Sequence, residues 1–535
     1  MTGQFHLRGG HFPKETGFQK FSLHNARKTG IIILHNTLRG GGPVSRRPAQ
    51  KMTRGHQKPC EVFDMTITPK NSTGVLENYT GSLSQHIKNE YAIREENYRG
   101  DVKRGLRNSD GTGVTIGVTR VGSVQGYMIE DGFRIPVPGQ LYYRGIELNE
   151  IVEAHRKAGT FGFEEVAYLL LMGYLPSRSE MDHFNDIMNS ARRLPSGFTE
   201  DMIMKSPSNN IMNKLGRSVL SLYSYDDNPD DTSIRNMLLQ SVKLIGAFPS
   251  IVANAYSVKR HYFDGDSLHI HFPEENLSTA ENFLRMIRPN KMYTEEEAHL
   301  LDMMLMVHAE HGGGNNSTFV CRALSSSGTD TYSAIAGAVG SLKGPLHGGA
   351  NAKVMEMFHY IKENVDPGDD GSIRDYLAKL LRGEAGDRSG KLYGLGHAVY
   401  TISDPRAVLL KKYAMHMAEL KGYADDFRLL QKVEELGIPM IQELHRSDTP
   451  MCANVDMYSG LVYTMLGIPE DVFTPLFATA RIAGWCAHRI EEVLTGKRIM
   501  RPAYRAVVKR VHYDPIEDRK TRIEFKKKEL VPLGM

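Results

Sequence analysis

From about Asn89 onward the chain repeats its apolar residues at helical spacing almost without a break, and this restricts the fold more than any other feature. Residues 164–174 (EEVAYLLLMGY) read as an apolar helix closed by Leu175, Pro176 and Ser177. Residues 295–308 carry Met and Leu at helical spacing, and 233–259 read as two helical runs separated near Pro249. The exception is the stretch 113–143, where β-branched residues alternate with Gly and Pro as small hairpins do. A mainly α fold with a minor β-hairpin region near its N-terminal part is expected, with no parallel sheet. Neither G-x-G-x-x-G after a strand nor G-x-x-x-x-G-K-[ST] is present, so a bound nucleotide would have to be held without those fingerprints.

Charge is distributed unevenly. Residues 1–58 hold eleven Lys or Arg and one acid, which leaves 55 bases against 61 acids in the rest of the 535-residue chain. The body is therefore mildly acidic, and the overall +4 does not point to a nucleic-acid partner. Residues 1–64 lack sustained periodicity and are expected to be a disordered basic tail. An organelle transit peptide would also be basic and acid-poor, but this tail has few serines; cytoplasmic placement is expected, mitochondrial if the tail is such a peptide. Cys60, Cys321, Cys452 and Cys486 are too scattered for a disulfide framework, as befits a reducing compartment. No membrane partner is expected, because no run approaches the ~18 uninterrupted apolar residues of a span.

Three histidines stand in glycine-rich surroundings: His311 in AEHGGGNNST, His347 in GPLHGGAN and His397 in YGLGHAVY. Glycine lets a ligand approach the backbone and frees N–H donors, and the pattern after His347 reads as a loop entering a helix. An imidazole there would be kept neutral by the positive end of the helix and suited to donating a hydrogen bond. Any one of the 21 histidines is more simply a surface or structural residue; the recurrence of the glycine setting separates these three. A metal site competes, since His308, Glu310 and His311 are adjacent, but H-A-E-H lacks the four-residue ligand spacing of H-E-x-x-H and no metal is expected. Asp456 in CANVDMYSG, Arg406 in SDPRAV, Arg481 in FATARIAGW and Arg501 in IMRPAY complete the candidate set. Arginines near a histidine cluster would make a site for a small di- or tricarboxylate.

Taken together and in this order, these motifs resemble the citrate synthase family. The resemblance starts near Gly113 and runs through GQLYYRGIELNEIV, FEEVAYLLLMGYLP, HAEHGGGNNST, GPLHGGANAKVMEM, GLGHAVYTISDPRA, NVDMYSGLVYTMLGIP and ATARIAGWCAHRIEE to RIMRPAY and DPIEDR. It implies a two-domain helical homodimer, with a large domain formed by 65–347 and 461–535 and a small domain at 348–460 that closes over the substrates. It implies condensation of acetyl-CoA with oxaloacetate to citrate and CoA, with acetyl-CoA as co-substrate and no permanently bound cofactor. His347, His397 and Asp456 would be the catalytic trio: Asp456 the base, His347 the donor to the thioester oxygen, His397 the donor to the oxaloacetate ketone. His311, Arg406 and Arg481 would hold the substrate carboxylates, with Arg501 reaching in from the partner subunit. The CoA moiety would lie against the 391–396 loop, at Leu392, Gly394, Leu395 and Gly396.

In two places the sequence departs from the family pattern: Ala503 follows Arg501-Pro502 where many relatives carry a second basic residue, which puts one CoA-phosphate contact in doubt, and the basic tail of about 60 residues and the stretch beyond Arg519 lie outside the matching part. Three rivals stand beside this reading. One is 2-methylcitrate synthase, which takes propionyl-CoA and differs by one methylene, worth only ~1–3 kcal/mol to a pocket. The others are a citryl-CoA lyase module and a non-catalytic CoA-binding scaffold.

Overall fold

In the computed structural model, residues 80, 83–89, 92–98, 100–131, 133–508 and 510–521 are described. The basic segment 1–64 and Cys60 lie outside them. Residues 93–513 form one compact unit, with which all that follows is concerned.

The extended region is an antiparallel meander of β1 (Gly122–Glu130), β2 (Phe133–Tyr143) and β3 (Ile146–Glu147). A register shift between Gln125 and Tyr127 puts a bulge in β2 at 137–139, opposite Gly126 of β1. Helices follow: α1 (Leu148–Ala158), α2 (Phe163–Met172), α3 (Arg178–Ala191), α4 (Ile211–Leu222), α5 (Ile234–Phe263), α6 (Thr279–Ile287) and α7 (Glu295–His308). Their starts are written locally. Ser177 with Glu180, Ser278 with Glu281 and Thr294 with Glu297 form capping boxes on α3, α6 and α7.

The two runs expected on either side of Pro249 are in fact the single helix α5, with Pro249 inside it. An interior proline costs roughly 3 kcal/mol of helix stability. Here Leu244 to Ala255 are buried throughout, and packing against α15, α3 and α6 keeps the helix continuous. Among the described residues α5 is also the one helix long and apolar enough to cross a membrane, but 83% of that window is buried inside the fold, as in a core helix.

The chain continues through α8 (Asn316–Ser325), α9 (Thr331–Leu342), α10 (Ala350–Asn364), α11 (Asp370–Leu381), α12 (Pro405–Lys421), α13 (Ala424–His445), α14 (Asp456–Met465) and α15 (Phe473–Thr495). Helix α15 is the hub of one layer, packed on α2, α5, α7, α8 and α9 and burying Arg481, Trp485 and Arg489. Gly484 makes this possible: a Cβ there would sit 2.5 Å from the Ala309 carbonyl oxygen. A second layer is built of α10 to α14, with α12 touching α7 and α1 of the first.

Candidate active site

Helix α12 begins with Asp404 as its cap and Pro405 in its first turn, which places Arg406 one residue into the helix. Asp404 Oδ1 accepts from the Arg406 N–H (3.0 Å) and from Arg406 Nε (3.0 Å), while Oδ2 accepts from Nη2 (2.8 Å). Oδ2 also accepts from the Val455 N–H (3.2 Å), which ties this cap to the first turn of α14, where Asp456 sits. Asp404 and Arg406 are both buried. Burial pulls the Arg406 guanidinium down, but the charge and hydrogen bonds of Asp404 outweigh it, so its pKa stands above the ordinary value.

Arg481, from the middle of α15, is 0% exposed and is held differently. Its Nε donates to the His308 carbonyl oxygen (2.6 Å) and its guanidinium lies 4.7 Å from the centre of the Phe477 ring. Nη1 and Nη2 have no hydrogen-bond partner. Burial accordingly lowers this arginine from 12.5 to about 10. A buried guanidinium with an unused two-nitrogen fork is suited to a carboxylate.

Further unpartnered polar atoms are buried among the same groups: His311 Nε2, both ring nitrogens of His308, and the Tyr400 hydroxyl. The His311 ring lies 5.2 Å from that of His397 and 5.7 Å from Tyr400. Burial, with the positive charges of Arg406 and Arg481, holds His308 and His311 well below the usual imidazole range. The pocket is lined with neutral imidazoles and cationic guanidinia, which is the complement of a dianion.

The two other histidines have their tautomers set by backbone donors. The Ser317 N–H, in the first turn of α8, donates to His347 Nε2 (3.3 Å), with Ser317 Oγ 3.0 Å from the same nitrogen. The N–H groups of Val399 and Tyr400 both donate to His397 Nδ1 (3.0 Å each). Because a backbone N–H can only donate, His347 carries its proton on Nδ1 and His397 on Nε2. Burial, then Arg481 for His347 and Arg406 for His397, lowers each to about 4. His347 does precede a helix, α10, as expected. Its neutrality nonetheless comes from burial first and Arg481 second.

Asp456 opens α14, with its N–H donating to Asn454 Oδ1 (3.0 Å). Burial pushes its carboxyl up to about 6 although Arg406 and Arg481 pull it down. A carboxylate so placed is ionised at neutral pH yet basic enough to take a proton.

The 391–396 loop is fastened to the strand-like stretch before Asp456. Gly396 N donates to the Cys452 carbonyl (2.8 Å), Asn454 N to the Gly394 carbonyl (2.9 Å) and Asn454 Nδ2 to the Gly396 carbonyl (2.9 Å). Gly394 (φ +83°) and Gly396 (φ +92°) need the left-handed region. Leu392 is buried in the core, and Leu395 bridges to Ala453. A cleft of about 350 Å³ opens beside this loop, lined among others by Gly396, His397, Thr401, Gln442, His445 and Met451. Arg501 is exposed.

Among the described residues no cluster of three metal-ligating side chains occurs. Glu310 is engaged elsewhere: its Oε1 accepts from His488 Nε2 (2.8 Å) and from the Gly312 N–H (2.6 Å). Sequence reasoning missed Asp404, Ser317 and Tyr400. Asp404 was findable, since Asp-Pro at a helix start is a capping signal; Ser317, thirty residues before His347, left none.

The family described as "Citrate synthase, C-terminal domain" matches residues 110–503. Citrate synthase of Synechocystis is 34% identical over 372 residues, 68% of this chain and 84% of that protein. A 2-methylcitrate synthase of Corynebacterium glutamicum is 33% identical over 72% of this chain and 94% of its own length. The crystal structure of citrate synthase from Thermotoga maritima covers 78% of this chain and 100% of its own, with TM-score 0.62 and 30% identity. A ternary complex of Thermoplasma acidophilum citrate synthase with carboxymethyl coenzyme A and oxaloacetate gives TM-score 0.63 and 26% identity over the same shares.

Proposed function

Because this chain belongs to the citrate synthase family, transferases that condense acetyl-CoA with oxaloacetate, we propose that the pocket around Arg481 carries out that condensation. The observation that carries the reading is the unpartnered, fully buried guanidinium fork of Arg481 beside the paired Arg406 and the neutral His311. These three hold the two carboxylates of oxaloacetate. The acyl thioester is enolised by Asp456, which removes a proton from the methyl carbon while His347 Nδ1–H donates to the thioester oxygen. The enol carbon then attacks the oxaloacetate ketone, whose oxygen takes the proton of His397 Nε2. Water hydrolyses the citryl thioester, releasing citrate and the CoA thiol. A positioned base typically contributes ~10²–10⁴-fold, and preorganised donors at the developing enolate and alkoxide add a further electrostatic share.

The acyl-CoA lies along the 391–396 loop and the cleft next to it. Fastening that loop to residues 452–454 would fix a thioester seated there relative to both His397 and Asp456. Residues 348–460 supply His397, Arg406 and Asp456 and close as a small domain over His311, His347 and Arg481; closure excludes water before the thioester is activated. The enzyme works as a homodimer in which Arg501 enters the partner's site. In support, the 501–508 stretch exposes Tyr504 by 94% and Val508 by 83%, apolar surface that a second subunit would cover. It resides in the cytoplasm, in keeping with the free Cys321, Cys452 and Cys486.

A second reading, propionyl-CoA as the acyl donor, is favoured by the similarity to 2-methylcitrate synthases and to the citrate/2-methylcitrate synthase of Bacillus subtilis, 32% identical over 68% of this chain. Thiol release from acetyl-CoA and propionyl-CoA, each with and without oxaloacetate, decides. Release that requires oxaloacetate is expected, and the ratio of kcat/KM values names the donor. Release without oxaloacetate would make the protein a thioesterase, and none at all would leave the scaffold reading.

A further inference from the structure

The hairpin β1–β2 touches the loop that carries His397 at three places. On β1, opposite the β2 bulge, a Cβ on Gly126 would stand 2.5 Å from the Val399 carbonyl oxygen and 2.9 Å from Tyr400 Cα. On β2, a Cβ on Gly139 would collide with the Ser403 carbonyl oxygen and lie 3.1 Å from Pro405 Cδ, and the Gly139 N–H donates to Ser403 Oγ (3.1 Å). Arg134 Nη2 reaches the Val399 carbonyl (3.4 Å) while its guanidinium lies over the Tyr127 ring of the opposite strand, 4.1 Å from its centre.

These contacts fall on residues with a second task. Val399 and Tyr400, against which Gly126 is pressed, are the two whose N–H groups hold His397 Nδ1. The Tyr400 ring stacks on the His397 imidazole, with centres 4.6 Å apart and planes at 26°. Gly126 and Gly139 have negative φ, so neither is required for its backbone conformation. What each supplies is the missing side chain, which lets two strands lie directly against a loop.

We infer that the β1–β2 hairpin is a brace for the 397–403 loop, and that Gly126, Gly139 and Ser403 are positioning residues that keep the His397 imidazole aimed through its Nε2–H. The inference rests on the proposed role of His397. A methyl group at position 126 or 139 pushes the loop outward, the two N–H groups leave Nδ1, and the ring can turn or take up a second proton.

The experiment compares Gly126→Ala, Gly139→Ala, Ser403→Ala and Ser403→Thr with the parent full-length protein in steady-state kinetics across pH 5.5–9. Oxaloacetate affinity is measured by calorimetry and melting temperature by scanning. The glycine variants should lose roughly 10²-fold in kcat, the usual consequence of a misplacement of about 1 Å. Gly126→Ala should change oxaloacetate affinity far less, since its contacts fall on Val399 and Tyr400, whereas Gly139→Ala, which presses on Ser403 and Pro405 beside Asp404, should weaken it as well. Their rise of kcat with pH should also become steeper than the one-proton rise near pH 6 that Asp456 gives the parent, as a released imidazole adds its ordinary titration. Ser403→Ala should lose roughly fivefold in kcat, what one hydrogen bond allows, and Ser403→Thr should restore it. If the glycine variants do not fold, the Ser403 pair decides alone. Unchanged kcat and pH profile, or equal losses in kcat, affinity and melting temperature without rescue by Thr, would overturn the brace. His397→Ala separates the two levels: if it retains turnover, the proposed role of His397 has failed; if it is inactive while the brace variants match the parent, only the brace has.

Discussion

Replacing each of the two buried site arginines by methionine should have very unequal consequences for the substrate-free protein. Arg406 is forked onto Asp404, which is itself only 1% exposed. Arg406→Met would strand that carboxylate, and breaking a buried pair from one side costs about 3–5 kcal/mol. Arg481 has no carboxylate to strand. Its fall from 12.5 to about 10 corresponds to roughly 3 kcal/mol of unfavourable burial at ~1.4 kcal/mol per tenfold. Methionine relieves that cost and still packs on Phe477, but it loses the Nε bond to the His308 carbonyl, about 1–3 kcal/mol. The two terms nearly cancel, so Arg481→Met should lie within about 2 kcal/mol of the parent. Oxaloacetate reverses the picture. At a hundredfold excess over Kd it should stabilise the parent by about 2.7 kcal/mol and Arg481→Met not at all. Urea unfolding followed by far-UV circular dichroism, with and without oxaloacetate, reads both effects. If Arg481→Met loses as much stability as Arg406→Met, or is still stabilised by oxaloacetate, the unpaired-fork argument is wrong.

Asp456, pushed up to about 6, binds in the folded state a proton that the unfolded chain releases near 3.8; its contribution to stability is therefore lost as pH rises between those values. Parent kcat should rise with a midpoint near pH 6, while Asp456→Asn should lose ~10²–10⁴-fold in kcat yet be more stable than the parent at pH 8, an advantage that disappears below about pH 4. Arg501→Ala and His347→Ala should each be inactive alone but recover partial activity when mixed, because hybrid dimers contain one intact site; no recovery would remove the shared site. Gly394→Ala places a side chain at φ +83° with its Cβ 2.9 Å from Met457 Cα; a loss of about 1–3 kcal/mol in denaturation and a raised KM for acyl-CoA, with oxaloacetate affinity kept, are expected.

What the sequence determined by itself is what local chemistry encodes. Helix α7 runs over the expected 295–308 because Thr294 and Glu297 cap it and the apolar period follows at once. The extended stretch became the hairpin because its turn residues and alternation permit little else. The histidines His311, His347 and His397 stood out by their glycine-rich flanks alone, whereas Asp456, unremarkable in its own sequence context, joined them only as part of the motif set and its family resemblance. Tertiary structure decided the rest. It kept α5 intact through Pro249, since burial on all sides outweighs a broken backbone bond. It gave Arg406 a carboxylate and Arg481 none, although both read as equivalent arginines along the chain. It also set which nitrogen of each imidazole carries the proton, through backbone donors thirty residues away for His347 and two or three for His397. Periodicity and capping act over a few residues, within reach of a sequence pattern. Pairing of buried charges and choice of tautomer depend on which distant groups are brought within 3 Å, and that is settled only when the helices pack.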